Sequence, residues 1–209
     1  MRVPAGSAVV AFGAVVVAAM LATLVVGVVV RPEVSMYAPT PPAPKDVRAA
    51  VVGPDTYTVD ARDERRWVAF DFSRRSVVPV DDLRGLDWDL AFNRFRIRTN
   101  GGATNPAGGA GALDLGRVAF DSVVVVPDSG YAQDVSVSAN ETRNPALERW
   151  YDYSWLSHRL TPKPRAYAVR TADGRYAKVT VLSYYCADGT AGCVTFRYAY
   201  AGDGGRRFR

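Results

Sequence analysis

Hydrophobic and polar residues alternate along much of the chain beyond residue 50, which is the pattern of β-strands. Short runs rich in Gly, Asp, Asn and Pro separate the alternating segments, and no segment has the period of an amphipathic helix. The predicted strands are residues 57–61, 67–72, 77–80, 88–99, 166–171, 175–185 and 193–200. The sequence therefore predicts one mainly β domain with antiparallel strands.

Two turns define the predicted strand connections. The segment 73–75 joins strand 67–72 to strand 77–80 as a hairpin. Asp173-Gly174, a preferred hairpin dipeptide, joins the next pair, and the last strand then returns beside them. The C-terminal segments therefore predict a three-stranded meander.

The segment 88–99 changes phase partway along. Its early large apolar residues share one face of a strand, and its later ones share the opposite face: Trp88, Leu90 and Phe92, then Phe95 and Ile97. An extra residue near Asn93 and Arg94 would produce this shift, so we predict a β-bulge within one bent strand. The following Asn-Gly-Gly predicts a turn with positive φ.

A row of arginines, Arg94, Arg96 and Arg98, occupies the face that the early apolar residues leave. These side chains either face water or bind anionic groups, since a guanidinium pairs well with a carboxylate. Such anions include the carboxylates of a bound ligand and those of an acidic polysaccharide. The three arginines are therefore a candidate anion-binding site.

The N-terminal segment 8–30 contains no charged residue and no proline, and Arg2 and Arg31 flank it. At about 1.5 Å per residue its helix would cover the roughly 30 Å hydrocarbon core. It is longer than the apolar region of most cleaved signals and lacks a small-x-small site at its end. We therefore predict an uncleaved signal anchor, with a cleaved signal as the alternative.

The predicted organisation has three parts. Residues 1–30 form the signal anchor or transmembrane helix, and residues 47–209 form the β domain. The intervening segment 31–46 contains five prolines, which predicts a stiff tether. Within the domain, the Gly-rich segment 101–116 is predicted to be a loop, because it has neither a phosphate-binding nor a dinucleotide-binding pattern.

The two cysteines, Cys186 and Cys193, lie near the predicted turn of the last hairpin. They could form half of a metal site or a redox pair, but only His158 could assist as a further nitrogen ligand. A disulfide is the favoured interpretation. Because disulfides persist in oxidising compartments, we expect the β domain to lie outside the cytoplasm.

Charge and motifs restrict the function classes. The formal net charge is +5, but basic and acidic residues are interspersed, so no nucleic-acid partner is predicted; acidic lipid headgroups remain an alternative. Neither a nucleophile elbow, nor a zinc-protease motif, nor a paired-carboxylate signature occurs. The sequence therefore predicts that the protein is not an enzyme.

His158 follows an aromatic group in the segment 148–167: Trp150, Tyr151, Tyr153 and Trp155. An isolated histidine is commonly a surface or hydrogen-bonded structural residue. The alternative is an axial ligand for a flat apolar cofactor, since imidazole suits iron. Both interpretations of His158 stay open on the residues alone.

Several motifs together resemble the HmuY-like haem-binding proteins of bacterial cell envelopes. In order along the chain they are WVAFDF (67–72), WDLAF (88–92), RTNGG (98–102), YDYSWLSH (151–158) and VRTADGRYAKVTVLSYY (169–185). The resemblance runs from about residue 57 to residue 204. It implies a secreted or membrane-attached, nearly all-β fold and haem as the cofactor.

This chain departs from the family pattern in two respects. Archetypal members hold haem iron between two histidines and others are thought to use methionines, whereas here only His158 and Met36 are candidates. Those members are lipoproteins, whereas this chain has a hydrophobic segment. Two hypotheses follow: a membrane-anchored haem-capture protein with His158 as ligand, or a cofactor-free envelope module that binds a protein or glycan.

Overall fold

A computed structural model describes residues 5–29, 32–46 and 49–208. The chain divides into two compact units: Met1–Glu33 with Tyr153–Thr161, and Val34–Asp152 with Pro162–Arg209. The elements in chain order are α1 (Ala5–Val29), β1 (Met36–Tyr37), β2 (Val51–Asp60), β3 (Val68–Asp71), β4 (Ser76–Val78), β5 (Leu90–Asn93), β6 (Arg96–Thr99), β7 (Gly111–Asp114), a 3-10 helix (Phe120–Ser122), β8 (Val135–Ser138), β9 (Glu141–Arg143), β10 (Tyr151–Ser154), β11 (Arg159–Pro162), β12 (Tyr167–Arg170), β13 (Tyr176–Cys186) and β14 (Ala191–Ala201).

The smaller unit contains helix α1 and the segment 153–161, which we call the hairpin tip. Within this unit, Arg159 Nη1 donates a hydrogen bond to the carbonyl oxygen of Pro32 (3.3 Å). Side chains of α1 are described from residue 10 to residue 26, and among the described residues no helix is long and apolar enough to cross a membrane. The side chains at both ends of the predicted span 8–30 lie outside the described residues.

The larger unit contains a six-stranded sheet with the order β2-β14-β13-β12-β7, to which β1 adds by pairing with β13. The β1–β13 pair is parallel, and the other pairs of this sheet are antiparallel. The predicted meander is present as β12, β13 and β14. Strand β13 matches the predicted strand 175–185 to within one residue at each end, whereas β14 extends beyond the predicted 193–200 at both ends.

A four-stranded antiparallel sheet has the order β4-β3-β5-β6, and β3 and β4 form the predicted hairpin. The phase change in segment 88–99 is a hairpin turn, so the prediction of one bulged strand is wrong. Strands β5 and β6 pair with Asn93 opposite Arg96, and Arg94 adopts a left-handed φ of 53° between them. Residues before and after the turn therefore belong to different strands.

Aromatic side chains join the two sheets. Phe70 of β3 contacts Phe196 of β14 edge to face at 5.1 Å, and Phe92 of β5 stacks on the same ring at 5.4 Å. These three rings are fully buried. The alternation that the sequence shows in these strands thus places one aromatic face of each sheet in the core.

Two predicted segments differ in the structure. The Gly-rich segment 101–116 contains strand β7, which pairs with β12, so the prediction of a loop throughout is wrong.

In the predicted tether, residues 31–46, the backbone N–H groups of Thr40 and Lys45 donate hydrogen bonds to the carbonyl oxygens of Thr58 and Arg74. The backbone N–H of Ala43 donates to Ser76 Oγ. Proline removes some donors from this segment, but the remaining N–H groups attach it to the larger unit. The predicted domain start, residue 47, lies outside the described residues.

The disulfide between Cys186 and Cys193 is present, with 4.9 Å between the two Cα atoms. It connects the end of β13 to the start of β14 across the turn. Both residues are buried. The pair therefore closes the last hairpin and does not provide thiolates for a metal.

Candidate functional site

His158 lies at the turn between β10 and β11, which pair as a two-stranded sheet. Ser154 Oγ accepts a hydrogen bond from the Ser157 backbone N–H (3.3 Å), and His158 adopts a left-handed φ of 52°. A non-glycine residue with positive φ is uncommon and occurs mostly in turns. This local geometry leaves the His158 side chain exposed rather than packed in a core.

Tyr153 orients the imidazole of His158. The distance from Tyr153 Oη to His158 Nδ1 is 2.6 Å. A histidine that binds metal through Nε2 carries its proton on Nδ1, and a second residue that accepts this proton in a hydrogen bond fixes the ring. Tyr153 Oη can accept from a protonated Nδ1 in this way, and it can donate to Nδ1 in the other tautomer.

The hairpin tip also exposes large apolar side chains. Trp155 is 81% exposed, Leu156 54% and Tyr153 40%. The rings of Tyr153 and Trp155 meet edge to face with centroids 5.1 Å apart. An apolar ring system next to an available imidazole suits a flat apolar ligand.

A haem site with two histidines cannot form within one chain, because His158 is the only histidine in the sequence. Met36, the other candidate, pairs with Tyr185 in the larger unit. Among the described residues, no group of three or more histidine, cysteine, aspartate or glutamate residues could hold a metal ion. A haem iron could therefore take one imidazole ligand from each chain, that of His158.

The three predicted anion-binding arginines do not form one cluster. Arg94 lies in the β5–β6 turn and donates through Nη1 to the carbonyl oxygen of Ala191 (2.8 Å). Arg96 and Arg98 both lie on β6. Arg96 is exposed and its Nε lies 3.8 Å from Glu141 Oε1. The premise that all three share one strand face is therefore wrong.

Arg98 is held by neighbouring groups. Its guanidinium carbon lies 3.8 Å from the centroid of the Trp67 ring, and its Nε donates to the carbonyl oxygen of Thr142 (2.9 Å). Burial lowers the pKa of Arg98. These contacts give Arg98 a structural role and leave Arg96 as the arginine of this strand with the more accessible guanidinium.

The sequence did not indicate a groove of about 790 Å³ in the larger unit. Pro39, Pro41 and Pro42 line one part of it, and Trp67 and Val78 line another. Charged side chains also border the groove, among them Arg66 and Asp60. The signal that could have found it is the proline run, which forms an apolar wall where it lies along the sheet.

A second cavity, of about 520 Å³, is lined by four carboxylates: Asp71, Asp87, Asp89 and Asp173. Burial and the neighbouring Asp71 raise the pKa of Asp89 to about 7. Asp89 accepts backbone hydrogen bonds from Phe72 and Ala172, both at 2.9 Å. Asp89 therefore links the β3–β4 turn of the four-stranded sheet to the β12–β13 turn of the six-stranded sheet.

The HmuY protein family model matches residues 63–198 of the chain. This chain belongs to the HmuY family. The match includes all five motifs that carried the resemblance, from residue 67 to residue 185. Among curated proteins, none matches the chain in sequence.

Solved structures share the HmuY-like fold at low sequence identity. The apo HmuY analog of Tannerella forsythia is 18% identical, with a TM-score of 0.61 over 75% of this chain and 99% of that chain. A candidate HmuY-like heme-binding protein of Bacteroides vulgatus is 23% identical, with a TM-score of 0.56 over 75% and 95%. A candidate lipoprotein of Bacteroides fragilis is 20% identical, with a TM-score of 0.52 over 74% and 93%. The mainly β HmuY-like fold is therefore confirmed.

Proposed function

We propose that this HmuY-family chain is an extracytoplasmic binding protein that captures haem, with His158 as an axial ligand. The observation that supports this most is the pairing of an exposed imidazole with Tyr153, 2.6 Å from its Nδ1. This pairing leaves Nε2 as the coordinating nitrogen. The name of the Bacteroides vulgatus neighbour, which refers to heme binding, agrees with the proposal.

Three residues of the hairpin tip have distinct parts in this proposal. Haem supplies an iron with open axial positions and a large apolar ring with anionic propionates. His158 would bind the iron, and Tyr153 Oη would accept a hydrogen bond from Nδ1–H and so fix the ring. Trp155, which is 81% exposed, provides apolar contact area for the porphyrin.

Titration of the full-length protein with hemin, followed by absorbance, tests the proposal. We expect a saturable Soret shift that His158→Asn abolishes. Asparagine is the preferred substitution, because it tolerates the left-handed φ of 52° and so preserves the turn. A wild-type titration without a saturable shift contradicts haem capture.

A second candidate function is a cofactor-free envelope module that binds a protein or glycan. The proline-lined groove supports this candidate, since its volume of about 790 Å³ lies in the range of ligand pockets. Trp67→Ala should then weaken binding to isolated envelope fractions while leaving the hemin titration unchanged. Equal binding by Trp67→Ala and wild type contradicts a role for the groove.

The proposed location is the bacterial envelope, with the β domain outside the cytoplasm and the segment 8–30 attached to the membrane. The disulfide supports an oxidising compartment, and the uncharged sequence of 8–30 supports attachment. We expect the protein to resist carbonate extraction from membranes and to lack alkylatable thiols before reduction. Release by carbonate, or a mature N-terminus beyond residue 30, contradicts the attachment.

A further inference from the structure

A haem iron has two axial positions, and the one imidazole of this chain can fill one of them. We propose that two copies of this chain hold one haem between their hairpin tips, with His158 of each copy on one face of the iron. This inference rests on the proposed haem capture and specifies its stoichiometry. The site is then incomplete in one chain and complete in two.

In a complex of this chain and haem alone, a second imidazole has one source. The sequence contains one histidine, so a second nitrogen ligand of this type must come from another copy. His158 is exposed at a turn, where a second copy can approach it. Since Tyr153 occupies Nδ1, each copy offers Nε2 alone.

The apolar surface of the hairpin tip supports the same arrangement. Trp155 is 81% exposed and Leu156 is 54% exposed, although both are large hydrophobic residues. A flat apolar ligand between two tips would cover these side chains on both copies. Removing this area from water favours association.

The test uses the full-length protein in detergent, titrated with hemin while absorbance and molecular mass are recorded. We expect the Soret titration to reach its end point at one haem per two chains. The protein mass should double over the same range. Excess free imidazole should compete for the second axial position and return the complex to one chain per haem.

Three variants separate ligation from folding. His158→Asn should lose both the Soret shift and the doubling of mass, with an unchanged circular dichroism spectrum. Trp155→Ala should weaken the doubling. Tyr151→Phe, two residues before Tyr153 on β10, should match the wild type, since the structure shows no hydrogen bond from its hydroxyl among the described residues.

The outcomes are distinguishable. An end point at one haem per chain with unchanged mass overturns the sharing of haem and leaves haem capture standing. The absence of any Soret shift overturns both. A mass that is doubled without hemin and insensitive to imidazole also overturns the sharing, because the two tips would then not meet through the iron.

Discussion

The backbones of Gly101 and Ala110 are so close that a Cβ atom at residue 101 would lie 2.1 Å from the Ala110 carbonyl oxygen. Neither backbone can move freely, because Ala110 donates to the carbonyl oxygen of the buried Asn100 (3.1 Å). We predict that Gly101→Ala destabilises the protein by about 3 kcal/mol or more. Thermal unfolding followed by circular dichroism measures this.

Gly109 provides the matched control for Gly101, because the two residues face each other in a β-bridge. A Cβ at residue 109 would have its nearest neighbour at 3.9 Å, the carbonyl oxygen of Ala172. Gly109→Ala should therefore change the melting temperature little. Equal melting temperatures for both variants would falsify the explanation of Gly101 by close approach.

Tyr153→Phe should weaken haem binding without abolishing it, if haem binds as proposed. The change removes the partner of His158 Nδ1 and leaves the iron ligand in place. One such hydrogen bond contributes about 1 kcal/mol, so we expect a loss of about fivefold in affinity. A hemin titration measures it, and an affinity as strong as that of Tyr151→Phe would contradict the orienting role.

Asp89 should make stability depend on pH. Its pKa is raised to about 7, so its favourable contribution is complete below the ordinary pKa of 3.8 and is lost as the pH rises through about 7. We predict that Asp89→Asn removes this decrease between pH 4 and pH 8, where each pKa unit corresponds to about 1.4 kcal/mol. Melting temperatures across this range measure the slope.

Asp152→Asn is the control for Asp89→Asn, since the Asp152 side chain is exposed at 71%. It should leave the pH profile unchanged. Asp89→Asn should also be less stable than wild type at low pH, because one of the two backbone N–H groups loses its acceptor. A pH slope that survives in Asp89→Asn contradicts the assignment.

Arg98→Lys should destabilise the protein by about 1 kcal/mol. Lysine lacks the planar group that lies 3.8 Å from the Trp67 ring centroid and cannot reproduce the donor geometry toward Thr142. Arg96→Lys, two residues earlier on β6, should stay within about 0.5 kcal/mol of wild type. Similar unfolding free energies for the two variants would show that the Trp67 contact contributes nothing.

Reduction of the Cys186–Cys193 disulfide should lower stability by about 2 kcal/mol, because the cross-link restricts a short loop of the unfolded chain. The double substitution Cys186→Ser and Cys193→Ser should have the same effect. Adding reductant should lower the melting temperature of wild type and leave that of the double variant unchanged. A wild-type melting temperature that reductant does not change would contradict a stabilising role for the disulfide.

A strand could be predicted from the sequence wherever the alternation of apolar and polar residues agrees with a turn signal beside it. Segment 175–185 alternates and follows Asp173-Gly174, and it became β13. The β5–β6 turn was missed because Arg94 and Phe95 lack the Asn-Gly or Asp-Gly signal of two-residue hairpin turns. The positive φ of Arg94 depends on the pairing of β5 with β6, and a local sequence pattern does not predict that pairing.

The candidate site could be predicted in part. The composition of segment 148–167 indicated His158 and its aromatic neighbours. That Tyr153 reaches His158 follows from the turn geometry, which brings residues five positions apart together. The separate partners of Arg94 and Arg98 depend on long-range contacts, to Ala191 and Trp67, that alternation alone does not reveal.

The short parallel strand β1 has a consequence for aggregation. Strand β12 pairs with β13 only from Tyr176 to Val179, and β1 pairs with the far end of β13, at Tyr185 and Cys186. Unpaired N–H and C=O groups on an edge strand are a template for strand addition by another chain. Residues 36 and 37 therefore shield this end of β13, and a chain trimmed before residue 38 would expose it to self-association.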